Sequence, residues 1–203
     1  MLTLSCNYIQ MSKLTIYTIL FLLSGLLIVS ACGGTQKTEP LTKQDALHFS
    51  EIGHIVVQAT FKALSSQLQK AVKEQGTANA VAYCNTVAIA ITDSMSTVKQ
   101  AQVRRTSLKL RNPNNNPSAW ELEQLKLYKS ELAEGRSLSP VVKRLENGTI
   151  IYMEPILTMP FCLQCHGQPA DDVAQKLKEL YPEDKAIGYK EGDLRGIWTV
   201  KLR

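Results

Sequence analysis

Cys162-Leu163-Gln164-Cys165-His166 constrains this chain more than any other stretch, because Cys-x-x-Cys-His is the attachment pattern for a covalently held c-type haem. Each residue type is required. The two thiols add across the two haem vinyls as thioethers, and the adjacent imidazole reaches the iron as proximal ligand. Three other readings compete: half of a zinc site, a thioredoxin-like redox pair, and a structural disulfide beside a coincidental histidine. Zinc needs two further ligands, yet there is no second Cys-x-x-Cys and no His-x3-His, and the remaining histidines, His48 and His54, lie far upstream. A thioredoxin-type pair belongs just after a strand, at the start of a helix, within a βαβ pattern. Met159-Pro160-Phe161 leads in and Gly167-Gln168-Pro169 leads out, so the sequence places the pentapeptide in a loop, with a helix only later.

Attachment of this kind takes place outside the cytoplasm, so an export signal is expected at the N-terminus. Lys13 is the only charged residue before position 37, and Leu14 to Val29 is almost wholly apolar, as a signal-peptide core should be. Val29-Ser30-Ala31-Cys32-Gly33-Gly34 resembles the cleavage site of bacterial lipoproteins, with Cys32 as the lipidated residue. The competing reading is an uncleaved membrane anchor, for which the apolar run is a little short. Residues 1–31 are therefore expected to be a signal peptide, 32–40 a polar tether, and 41–203 the folded domain on the periplasmic side of a bacterial membrane.

The five cysteines are then accounted for without a disulfide framework: Cys6 in the leader, Cys32 for lipid, Cys162 and Cys165 for haem, and Cys84 left alone. Removing the leader takes away one lysine and no acid, so the charge falls from +5 to +4. That mild basicity gives no support for nucleic-acid binding.

Thr42 can cap a helix whose apolar stripe includes Leu47, Ile52, Ile55, Val56, Ala59, Leu64 and Leu68. Gly76 breaks it, Thr77 can cap the next, and Ala80, Val81, Cys84, Val87, Ala88 and Ile91 share one face of a second helix. Alternation from Val103 to Arg111 reads as a strand, and Ser118 to Glu121 matches a capping box that opens a helix to about Ala133. Val141 to Leu145 and Thr149 to Leu157, joined by Asn147-Gly148, read as a tight hairpin. Asp171 to Tyr181 reads as a short helix and Arg195 to Arg203 as a terminal strand. The class is α+β, long helices first and then an antiparallel sheet.

No methionine, histidine or cysteine follows His166, so a second axial ligand must come from upstream or the iron must be five-coordinate. Helical c′-type cytochromes also carry the motif near the C-terminus, but a bundle has no use for the Asn-Gly hairpin or the terminal strand. Cys84, His48, His54, Met153 and Met159 are the upstream candidates. A lone cysteine on an apolar helix face is most often a small core residue. His48 and His54, six residues apart, point to opposite sides of a helix, so at most one could face a haem.

Ala82-Tyr83-Cys84-Asn85, the run Arg104 to Asn115, the Cys-x-x-Cys-His, Gly188-Tyr189 and Glu191 to Gly196 together resemble a family of exported single-haem c-type domains with a PAS-like fold, found in cyanobacteria and other bacteria. The resemblance covers about Leu41 to Arg203. It implies that Cys84 is the sixth ligand, opposite His166, and that the domain serves redox or gas sensing rather than enzymatic turnover. Its partners would then be the membrane through the lipid, a redox or signalling protein, and a small gas. A simple electron carrier is the alternative. Arg104, Arg105, Lys109 and Arg111 are candidates for the haem propionates, since guanidinium suits bidentate carboxylate contacts. Strand alternation allows at most one of Arg104 and Arg105 at the haem.

Overall fold

The structure, a computed structural model, describes residues 39–202. The expected signal peptide, Cys32 and most of the tether lie outside the described residues. Among the described residues no helix is long and apolar enough to cross a membrane.

Two long helices come first, α1 (Lys43–Gln75) and α2 (Thr77–Val98), about 50 and 33 Å long at the usual rise per residue. Thr42 caps α1 as its sequence predicts, accepting from the Asp45 N–H at 3.1 Å. The cap of α2 is Gly76 and not Thr77, whose hydroxyl instead donates to Gln164 Oε1 at 3.1 Å. The face of α1 that meets the sheet carries Gly53, Val56, Val57 and Thr60. Leu47 and Ile55, counted in the stripe from sequence, are 59% and 54% exposed. Gly53 permits this packing, since a Cβ there would run into the Tyr152 ring.

Next come β1 (Gln102–Thr106), α3 (Ala119–Ala133), the hairpin β2 (Val141–Arg144) and β3 (Ile150–Leu157), α4 (Leu163–His166), α5 (Asp171–Leu180) and β4 (Leu194–Leu202). The four strands form one antiparallel sheet in the order β1-β4-β3-β2. The molecule is thus α+β with an antiparallel sheet. Gly148, at φ 82°, makes the tight turn of the hairpin. Strand β1 is shorter than its alternation predicts. Beyond Thr106 the Ser107 hydroxyl accepts from the Lys109 N–H at 3.1 Å, and this local bond bends the chain out of the ladder.

Period-two alternation gives the sheet two buried faces. Tyr152, Trp198, Val200 and Leu202 pack with Val56 and Val57 of α1 on one side; Ile151, Met153 and Ile197 pack with Leu125 and Tyr128 of α3 on the other. A third, smaller cluster joins Val81 of α2 to Val173 and Leu177 of α5, with Cys165 and Tyr181 at its border.

Candidate functional site

The Cys-x-x-Cys-His stretch is helical and does not form a loop. A 3-10 turn at Pro160–Cys162 runs directly into the single α-turn Leu163–His166. Proline at the first position of the turn suits helix initiation, and the Leu163 carbonyl accepts from the Gly167 N–H at 2.9 Å to close it. The turn follows a strand, as a thioredoxin-type pair would, but the sheet is antiparallel and has no βαβ unit. One helical turn brings Cys162, Cys165 and His166 together with their side chains half-buried.

A second segment clamps this turn. Gly188 N–H donates to the Gly167 carbonyl at 2.8 Å, and Tyr189 N–H to the His166 carbonyl at 2.9 Å. The His166 ring bonds through Nδ1 to the carbonyl of fully buried Ala186 at 2.7 Å. A carbonyl can only accept, so Nδ1 carries the proton and Nε2 keeps a free lone pair. Burial, with Arg195, Arg111 and Arg105 nearby, holds the imidazole down to about 2, so the ring is neutral at any ordinary pH.

Arg111 is the bolt of this clamp. Its Nε donates to Asp184 at 2.9 Å, and its Nη2 donates to the Cys165 carbonyl at 2.6 Å and the Ala186 carbonyl at 3.3 Å. Both side chains of the pair are largely buried, 14% and 8% exposed. Asp184 in turn accepts from the Ala186 N–H at 2.7 Å. Neither Asp184 nor the Ala186 carbonyl was legible in the sequence, since the partners lie 73 and 75 residues from Arg111.

Cys84, on α2, comes to this place. Burial raises its thiol above the ordinary value; Cys165 adds to the rise, while Arg105 and Arg111 oppose it. Tyr181 is also close enough to feel the charge of Cys84, Arg105 and Arg111. A cleft of about 290 Å³ is lined by Asn85, the residue after Cys84, with Arg111, Asn112 and Tyr181 among others.

The two arginines of β1 part company. Arg105 stacks over the Trp198 ring at 5.2 Å on the face of the site. Arg104 points to the opposite face, where its Nη1 donates to Glu121 at 2.9 Å. Glu121 is fully buried and also accepts from the Ser118 N–H and from the Ser118 and Thr199 hydroxyls, at 2.8, 2.8 and 2.9 Å. Arg104 is therefore not brought to the site. Lys109 lies at its edge, Nζ donating to the Ile187 carbonyl at 3.0 Å.

The other upstream candidates stay away as well. His48 is exposed against Phe49, and His54 is 56% exposed, bonded through Nδ1 to Glu154 at 3.0 Å. Met153 is fully buried in the cluster under α3, and Met159 is exposed. Trp120 packs in the cluster under α3 and Trp198 in the core beneath Arg105.

The donor set fits a covalent haem. Two thiols and an imidazole occupy one helical turn, the imidazole is fixed through Nδ1 with Nε2 open, and the thiol of Cys84 lies near Cys165. The Nε of Arg195, like that of Arg144, is shut off from solvent without a hydrogen-bond partner.

The Tll0287-like family model matches residues 37–203. The crystal structure of the cyanobacterial heme-protein Tll0287 aligns with a TM-score of 0.55 at 23% identity, over 80% of this chain and 96% of that one. At that identity the likeness speaks for the fold. No curated protein matches the chain.

Proposed function

Because this chain belongs to the Tll0287-like family, we propose that it is an exported, membrane-anchored c-type haem protein of redox or gas sensing. Cys162 and Cys165 hold one haem covalently, and His166 and Cys84 are the axial ligands. Cys32 carries the lipid, and the domain lies on the periplasmic side of a bacterial membrane. The sheet with helices on both faces is read as PAS-like. No catalytic turnover is assigned.

The observation that carries this reading is the His166 Nδ1 bond to the Ala186 carbonyl, which presents Nε2 as a ligand from the attachment turn itself. The bound haem would supply a one-electron couple and an iron able to exchange a ligand. Everything else is the work of the chain. Arg111 and Asp184 fix the carbonyl that fixes His166. Burial keeps the ring neutral, and burial also raises the Cys84 thiol, against the opposing pull of Arg105 and Arg111. Helix α2 is the element suited to report a change at the site. It carries Cys84, and Thr77 at its start is bonded to Gln164 inside the attachment turn.

The test is the optical and spin-resonance spectrum of ferric protein made in a host that attaches haem c, compared with Cys84→Ser. A thiolate signature lost in the variant supports His/Cys ligation, and an identical spectrum removes Cys84 from the site. The second reading, a simple electron carrier, is favoured by the rigid clamp on His166. Carbon monoxide binding to the ferrous protein with a structural change speaks for the sensor. Fast electron exchange with unchanged ligands speaks for the carrier.

A further inference from the structure

Resting on the haem reading above, we infer that a bulge in the central strand turns Arg195 into the site, where it and Arg105 seat the two haem propionates. Pairing between β3 and β4 slips at one place: Ile156 opposes Gly196, but Leu157 opposes Leu194, so Arg195 is the extra residue. Strict alternation back from Ile197, which packs under α3, would aim Arg195 at α3 as well. The bulge hands that side to Leu194, which packs there, and turns Arg195 the other way. Arg195 then stacks over the Tyr189 ring at 5.3 Å, and the Tyr189 hydroxyl lies 3.3 Å from that of Ser107. Its charge is felt by both His166 and Arg105.

Four arginines, three at the site and Arg104 across the sheet, divide cleanly. Arg104 and Arg111 each have a carboxylate at 2.9 Å. Among the described residues Arg105 and Arg195 have none. They stack on aromatic rings, and the Nε of Arg195 has no acceptor. Holding two half-buried guanidiniums together, neither with a salt-bridge partner and with only Asp184 and Tyr189 near Arg195 to offset them, is costly. The arrangement makes physical sense if two carboxylates arrive with the ligand, and a guanidinium is the side chain best shaped to receive one.

The experiment uses holoprotein with Arg195→Gln, Arg195→Lys and Arg105→Gln, with Lys201→Gln on the same strand as control. Covalent haem per chain, the axial-ligand spectrum and the midpoint potential are read for each. A positive charge near the iron favours the added electron, so its loss lowers the potential. Arg195→Gln is expected to keep haem and ligands while raising the ferric-to-ferrous ratio about tenfold at fixed ambient potential, ~59 mV for a one-electron couple. Arg195→Lys should restore most of this, and the control should change nothing. If the glutamine variant does not accumulate, Arg105→Gln carries the same expectation. Haem attached with an unmoved potential in Arg195→Gln and Arg105→Gln overturns this inference alone. A wild-type chain that takes up no haem overturns the functional reading itself.

Discussion

The two faces of the sheet treat buried charge in opposite ways. Under α3, Arg104 meets Glu121, which is also held by Ser118 and Thr199, so that carboxylate oxygens and donors are matched within the protein. Across the sheet, Arg105 and Arg195 have no carboxylate among the described residues, and His166 is kept neutral beside them. On the first face the buried carboxylate is fully partnered. The second leaves two guanidiniums without a carboxylate partner, and it is on this contrast that the proposed binding side rests.

The largest effect expected is at the attachment turn. Replacing Cys162 and Cys165 together by serine should abolish covalent haem, read by mass spectrometry of protein from a maturation-competent host. Circular dichroism should stay native-like, because both thiols are only half-buried. A collapsed fold would show that the turn belongs to the core and would erase the contrast.

How much of this contrast was legible in the sequence depended on how local its causes are. The Thr42 cap, the Asn147-Gly148 hairpin and the Ser118–Glu121 capping pair were readable because each closes within a few residues. Glu121 was read only as a capping residue. Its second role, as counter-ion to Arg104, rests on a partner 17 residues away in another element. Alternation put Arg104 and Arg105 on opposite sides but could not say which side held the site. The slip that re-aims Arg195 exists only once β3 and β4 are paired, so no periodicity could announce it. The helical state of the Cys-x-x-Cys-His was missed because prolines and glycines on both sides read as loop.

Next in size, Glu121→Gln should cost about 3 kcal/mol in urea denaturation, the low end for breaking a buried pair because Arg104 is partly exposed. A cost near zero would mean that the α3 face tolerates an unanswered cation as readily as the other.

Alkaline titration probes the same face. Burial first, then Glu131 and Glu154, raises the Tyr128 hydroxyl well above its ordinary 10. The unfolded chain therefore gives up this proton at lower pH than the native one. Tyr128 contributes its stabilisation in full below about pH 10 and loses it as pH climbs further, by at most about 1.4 kcal/mol per pH unit. Thermal melts across that range should show the loss, and Tyr128→Phe should reduce it, leaving the share of Tyr152, which burial and Glu154 also raise.

The smallest effect is expected at the open face. In haem-free protein Arg105→Met should change stability by less than about 1 kcal/mol, since methionine keeps the packing on Trp198 and no ion pair is broken. A loss as large as that of Glu121→Gln would reveal a counter-charge for Arg105 within the chain.

The place of β4 has a consequence for how the molecule is made. This strand lies between β1 and β3, yet it follows every other strand and the attachment turn in chain order. Until Leu194–Leu202 is made, the chain holds one lone strand and one hairpin, with no shared ladder between them. The ladder that joins β1 to the hairpin can therefore close only after residues 162–166 have been made.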